Sequence, residues 1–216
     1  EIGKAKLFLQ NTDLLDFPGA RSRLEMSLES VTSESVPDMY LRGKVAYLFN
    51  KYSGDYEINN LLFCQNDKQL DVNEIPSLLY DWIVNNIGET PEARQKSTSS
   101  LSIPPLFIIF TFFNNQLKFD STNDDKEDIS YKWNNRFTRF FEQEVVTSNF
   151  NWHIQWTTDK PIFQNFYLLR DYKYSDDSFT GFEDNGSELG VQPGREAFFE
   201  KLKDSFLQYP FVQNHF

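Results

Sequence analysis

An aspartate and a glycine three residues apart form the pattern in this chain that is best suited to chemistry. Residues 11–23 read NTDLLDFPGARSR, in which an apolar pair leads to Asp16 and a Pro-Gly turn ends at Gly19. A carboxylate at the end of a buried strand can hold Mg²⁺, and a glycine lets a backbone N–H approach a terminal phosphate. The spacing predicts a magnesium position at Asp16 and a γ-phosphate position at Gly19. The plainer alternative is a strand followed by a Pro-Gly turn.

Two arginines, Arg21 and Arg23, follow this turn directly. They could pair with phosphate or contact a partner in a switch region, and two solvated basic side chains are the alternative. The phosphate loop G-x-x-x-x-G-K-S/T does not occur in the 216 residues, and Ala20 stands where small GTPases commonly carry a hydrolytic glutamine. We therefore expect Mg²⁺ and GTP, or another nucleotide, to bind only in a longer protein.

A degraded base-reading motif follows the strongest apolar run. In the GTPase layout, a later strand ends in Asn/Thr-Lys-x-Asp, and here the corresponding residues are Thr111-Phe112-Phe113-Asn114. Phe112 replaces the lysine, and Asn114 replaces the aspartate that would accept two guanine N–H groups. The motif predicts base-side positions at Thr111 and Asn114 without guanine selectivity. The next apolar run ends at Arg170 and Asp171, where a last base-contacting loop would lie.

The elements that would position these residues alternate between strand-like and helix-like patterns. Strands are predicted for the short apolar runs at 12–17, 58–64, 104–113 and 165–171. Helical stripes are formed by Val45, Leu48, Phe49 and Tyr52; by Ile75, Leu78, Leu79, Trp82 and Ile83; by Trp133, Phe137, Phe140, Phe141 and Val145; and by Phe198, Phe199, Leu202 and Phe206. Polar segments at 27–38, 88–103, 120–128 and 174–190 are predicted as long loops.

The alternation predicts a single α/β domain over residues 1–216, with a mostly parallel sheet and helices on both faces. Such a domain would be the C-terminal portion of a P-loop GTPase-like, Rossmann-like three-layer fold. The chain begins with Glu1 in a segment that already has a structured pattern, and we expect it to be part of a longer protein.

Composition narrows the classes of function. The formal charge of -11 disfavours nucleic acid and anionic membranes as partners. No apolar run approaches the roughly 18 residues of a membrane helix, and no signal peptide is visible. One cysteine, Cys64, excludes an internal disulfide, and its apolar surroundings predict a buried thiol. Two histidines far apart in sequence, His153 and His215, disfavour a histidine-rich metal site.

Several stretches together resemble the bacterial SrfC-like virulence factor family, whose large members carry an N-terminal GTPase-like domain. The stretches are TDLLDFPGARSR (12–23), YLRGKVAYLFNKYSGDYEINNLLFC (40–64), LLYDWIVNNIGETPEAR (78–94), LFIIFTFFN (106–114) and WHIQWTTDKPIFQNFYLLRD (152–171). The resemblance covers residues 11–171, and the first stretch is the most specific. The stretch LFIIFTFFN departs from the family, whose members usually have a sequence close to LTKFD at this place.

The resemblance implies magnesium and γ-phosphate positions at Asp16 and Gly19, and base-side positions at Thr111 and Asn114. It places the phosphate loop upstream of Glu1. It also implies protein partners, and a location in the bacterial cytoplasm or export as an effector. Two functions follow as hypotheses: part of a nucleotide-dependent switch, or a degenerate interaction domain without catalysis.

Overall fold

The computed structural model describes residues 12–15, 31–55, 58–65, 75–120, 129–133, 151–173 and 178–209. These residues contain six helices and three strands. In chain order the elements are α1 (Val36–Gly54), β1 (Leu61–Gln65), α2 (Ile75–Asn86), α3 (Pro91–Thr98), β2 (Leu106–Phe110), α4 (Asn114–Leu117), α5 (Tyr131–Trp133), β3 (Phe166–Leu168) and α6 (Glu196–Phe206).

The three strands form one parallel sheet in the order β1-β2-β3. Leu61 pairs with Leu106 at the start of β1, and Ile108 pairs with Phe166 at the start of β3. β2 and β3 lie within the predicted strand runs 104–113 and 165–171, and β1 lies in the run 58–64 except for its last residue, Gln65. The sheet and its helices confirm an α/β architecture.

The hydrophobic core lies on one face of this sheet. Leu106, Ile108 and Phe110 alternate along β2 and are fully buried, as is Phe166 on β3. Apolar side chains of α2 and α6 belong to the same core. The described parts of the connections from β1 to β2 and from β2 to β3 both contribute to this core, through residues such as Trp82 and Trp133. This agrees with the right-handed connections that parallel strands prefer.

The opposite face of the sheet is less covered than the sequence predicts. Leu62 on β1 exposes 52% of its surface, Tyr167 on β3 exposes 46%, and Cys64 is also exposed. The prediction of a buried Cys64 is therefore wrong, because position 64 alternates onto this open face. The prediction of helices on both faces of the sheet is also not met here, because no described helix covers Leu62, Cys64 or Tyr167.

Three of the predicted helical stripes are confirmed. The α1 stripe forms the half-buried side of that helix. In α2 the buried stripe residues are Leu79, Trp82 and Ile83. The helix α6 buries three apolar side chains of its stripe. Of the remaining stripe, only Trp133 is described, and it lies in the short helix α5. No described helix has the combination of length and apolar character needed to cross a membrane.

A helix replaces part of a predicted loop. Residues 91–98 form α3 inside the polar segment 88–103, and residues 36–38 of the segment 27–38 already belong to α1. The hydroxyl of Thr90 accepts a hydrogen bond from the Ala93 N–H at 3.2 Å, and Pro91 occupies the first turn. A backbone hydrogen bond at the helix start lowers the pKa of the Glu92 carboxyl, and the Thr90 hydroxyl assists.

The strand predicted over residues 12–17 is not found in its described part. Residues 12–15 have no regular structure, and Leu14 exposes 78% of its surface. Because neither Leu14 nor Leu15 is buried, no packed sheet holds this segment in an extended conformation. The prediction of a buried strand before Asp16 is therefore wrong for these four residues.

Candidate functional site at the carboxyl edge of the sheet

The candidate site lies where the three parallel strands end. Gln65, Phe110 and Leu168 are the last residues of β1, β2 and β3. The backbone N–H and the hydroxyl of Thr111 both donate to the Gln65 carbonyl, at 2.8 and 3.1 Å. Thr111 thus ties the end of β2 to the end of β1. Ligands of open parallel sheets bind at this carboxyl edge.

Asn114 ties β2 to β3 in the same way. Its side-chain Nδ2 donates to Oδ2 of Asp171 at 2.5 Å, and its Oδ1 accepts from the backbone N–H of Asp171 at 2.9 Å. Asn114 is buried, whereas Asp171 is exposed. We name this two-bond contact the Asn114–Asp171 clasp. It fixes a carboxylate at the carboxyl edge beside the predicted base-side residue.

The turn between Thr111 and Asn114 has an unusual backbone. Phe112 has a φ of +56°, in the left-handed region that a bulky side chain rarely adopts, and its ring is 53% exposed. The next residue, Phe113, is buried and stacks on Trp133 with ring centroids 5.6 Å apart. The turn therefore buries Phe113, presents Phe112 to solvent and brings Asn114 to the edge.

The segment that follows β3 packs beside the clasp. Arg170 forms an ion pair with Glu188, and its guanidinium lies 5.1 Å from the ring of Phe179. The hydroxyl of Ser178 donates to the carbonyl of Leu117 in α4 at 3.1 Å. These contacts hold residues 178–191 against both α4 and the end of β3.

The comparisons with known proteins identify the family. A family model described as "Putative bacterial virulence factor" matches residues 3–216. The chain belongs to this family. No curated protein and no solved structure matches it.

In this member of the family, the predicted site residues fall into two groups. Thr111 and Asn114 lie at one edge of the sheet, as the order of the elements predicts. Asp16, Gly19, Arg21 and Arg23 lie outside the described residues. Within the described part of the chain, no three His, Cys, Asp or Glu side chains are grouped closely enough to hold a metal ion.

Sequence reasoning missed Arg94, the most extensively bonded side chain of α3. Only 2% of its surface is exposed. Its guanidinium donates to four backbone carbonyls, those of Gly88, Glu89, Gln155 and Trp156, at 2.6–3.0 Å. Burial lowers the pKa of Arg94. Nothing in the segment TPEAR distinguishes this arginine from a solvated one.

A glycine completes the surroundings of Arg94. Gly88 has a φ of +147°, and a Cβ at this position would lie 2.7 Å from Cβ of Ala93. The Gly88 carbonyl is one of the acceptors for Arg94. The tight turn before α3 therefore needs a residue without a side chain.

A cavity of about 170 Å³ lies at the opposite, amino edge of the sheet. Ile58 and Pro105, which precede β1 and β2, line it together with Trp82 and Asn86 of α2 and Leu101 after α3. It is separate from the carboxyl edge, and neither Thr111 nor Asn114 lines it.

The backbone of Phe112 leads to a prediction about stability. Glycine adopts a positive φ without steric cost, so Phe112→Gly should leave the free energy of unfolding unchanged or raise it by up to about 1 kcal/mol. Phe113→Gly is the matched control, and it should lower stability by several kcal/mol because Phe113 is buried. Urea unfolding followed by circular dichroism measures both. A loss above about 1 kcal/mol for Phe112→Gly would contradict the strained-turn interpretation.

Proposed function

We propose that this virulence-factor chain is part of a GTPase-like domain that acts as a nucleotide-dependent switch, with its base-side residues at the carboxyl edge of the sheet. The observation that carries the proposal is the position of Thr111 and Asn114. Thr111 follows β2 directly and Asn114 begins α4 three residues later. Hydrogen bonds tie Thr111 to the end of β1 and Asn114 to the segment after β3. This edge is where parallel α/β sheets bind nucleotides.

The order of the strands also supports the proposal. In the GTPase layout, the last three strands run side by side and parallel, and the base-reading residues follow the middle one. Here β1, β2 and β3 lie in that order, and the degraded motif follows β2. The family match to a bacterial virulence factor is compatible with a switch that controls a protein partner.

The residues proposed to contact the phosphates and Mg²⁺ are assigned from the sequence alone. Asp16 would hold Mg²⁺, Gly19 would approach the terminal phosphate of GTP or another nucleotide, and Arg21 would contact phosphate or the protein partner. The proposal does not use a buried strand at residues 12–15. It requires a phosphate loop elsewhere in the natural protein, because residues 1–216 contain none.

A second candidate is an interaction domain that has lost catalysis. The Asn114–Asp171 clasp favours it, because Nδ2 and Oδ1 of Asn114 are both bonded within the protein. In this function the clasp is a structural brace between β2 and β3. GTP hydrolysis by the full-length protein that disappears in Asp16→Ala would overturn this candidate.

Calorimetry of GTP and ATP with the full-length natural protein tests the switch. We expect Mg²⁺-dependent binding, and a loss of affinity of at least about 10-fold in Asp16→Ala, since one charged metal contact is removed. Asp13→Ala is the matched control in the same segment, because Asp13 is exposed and precedes the proposed motif. Binding that is absent, or that survives without Mg²⁺ and in Asp16→Ala, would end the proposal.

A further inference from the structure

In the Asn114–Asp171 clasp, the carboxylate of Asp171 lies beside position 114, where the base-reading motif normally carries an aspartate. Position 114 holds an amide, but the side chain of Asp171 lies 2.5 Å from it. These residues are 57 positions apart and come together only because β2 and β3 are neighbours. Asp171 is exposed at the sheet edge, so a ligand can reach it.

We infer that Asp171 supplies the carboxylate that recognises the base, that Asn114 positions it, and that the base is guanine. The inference rests on the proposed nucleotide-binding function and names its substrate class. Asn114 holds Asp171 at two points, the backbone N–H and the carboxylate. The carboxylate is therefore fixed before a ligand arrives, which reduces the entropy lost on binding.

The chemistry of the carboxylate selects the base. An ionised carboxylate only accepts hydrogen bonds, and its two oxygens offer about four lone-pair sites. One hydrogen bond from Asn114 leaves room for two more. Guanine presents two adjacent donors, N1–H and the 2-amino group, whereas adenine presents an acceptor at N1. The Asp171 carboxylate can therefore accept hydrogen bonds from both guanine donors, whereas it repels the lone pair at N1 of adenine.

The neighbours of Asp171 are compatible with this role. Arg170 is directed to Glu188 and to the rings of Phe179 and Phe182, where it forms its own contacts. Phe112 exposes an aromatic ring in the turn that leads to Asn114. Exposed aromatic rings are general stacking surfaces for bases. Phe112 would add affinity without selecting among the bases.

Calorimetry with GDP, ADP and inosine diphosphate (IDP), in Mg²⁺ and with the full-length protein, tests the inference. IDP lacks only the 2-amino group of guanine. We expect GDP to bind at least about 10-fold more tightly than ADP or IDP, because each charge-assisted hydrogen bond contributes about that factor. In Asp171→Asn the ratio of the GDP and IDP affinities should fall towards one. Asp159→Asn, in an exposed turn beside Gln95, should keep the wild-type ratio.

The outcomes separate the inference from the function on which it rests. The ratio is taken within each protein, so partial unfolding of a variant does not change it. Nucleotide binding by the wild type with equal affinity for GDP and IDP, or a ratio unchanged in Asp171→Asn, overturns the role of Asp171 and leaves the switch standing. The absence of any nucleotide binding by the wild type overturns both.

Discussion

Replacing Arg94 with alanine should destabilise the protein by about 3–4 kcal/mol, near the upper end for a single substitution. The guanidinium donates to four carbonyls from two segments, 88–89 and 155–156, and Gln155 lies 61 positions from Arg94 in sequence. Removing it leaves these acceptors, one in a buried and three in part-buried hydrogen bonds, without their charged donor. A fully buried unpaired acceptor costs roughly 1–3 kcal/mol, and one near solvent costs less. Partial relaxation and water entry keep the total below the sum. Urea unfolding of the two proteins measures the difference.

Two further variants show whether the stabilisation by Arg94 depends on the geometry of the guanidinium or only on its charge. Lysine keeps the charge, but its compact ammonium cannot reach the acceptors of both segments, 88–89 and 155–156, so Arg94→Lys should recover less than half of the loss. Lys96→Ala, on the exposed side of the same helix, should stay within about 0.5 kcal/mol of the wild type. An Arg94→Ala variant as stable as Lys96→Ala would show that the four hydrogen bonds do not stabilise the fold.

The strands and the longer helices could be predicted because each depends on a local pattern. The apolar runs around β1, β2 and β3 are continuous, and the stripes of α2 and α6 follow the helical period. The helix α3 has no such stripe, since its one buried side chain is Arg94. The sequence feature that indicates α3 is the Thr90-Pro91 pair at its N-terminus. This pair marks the start of a helix but does not indicate what the helix packs against.

The face of the sheet on which each side chain lies could not be predicted from a continuous apolar run. Cys64 and Phe63 are neighbours in such a run, yet Cys64 is exposed and Phe63 packs against the core. Which face is covered depends on where the connections between strands pass, and this is a property of the whole topology.

The candidate site was predictable in part for the same reason. Thr111 and Asn114 could be placed at a strand end from the sequence, because the motif follows an apolar run. The partner of Asn114 could not, since Asp171 follows another strand and reaches Asn114 only because β2 and β3 pair in parallel. The four carbonyls around Arg94 are also contacts made by tertiary structure.

Replacing Phe110 with alanine should cost about 3–5 kcal/mol and should loosen the carboxyl edge. Phe110 is fully buried at the end of β2, and its ring meets that of Phe166 edge-to-face with centroids 6.1 Å apart. Its carbonyl accepts from the Leu169 N–H at 2.8 Å, two residues before Asp171. A cavity at this position would therefore weaken the packing of the two strand ends that lead to the clasp. Thermal and urea unfolding should both show the loss.

Phe107→Ala is the matched control, and it tests the one-sided covering of the sheet. Phe107 is on the same strand but on the opposite face, where it is half-buried and lies 6.0 Å from the ring of Tyr167. If helices cover only the face that bears Phe110, Phe107→Ala removes fewer packing contacts and should cost less than half as much. Equal losses would mean that both faces are packed to the same extent in solution, and the described arrangement of the sheet would then be wrong. Unequal losses would support a sheet whose second apolar face remains open beside the carboxyl edge.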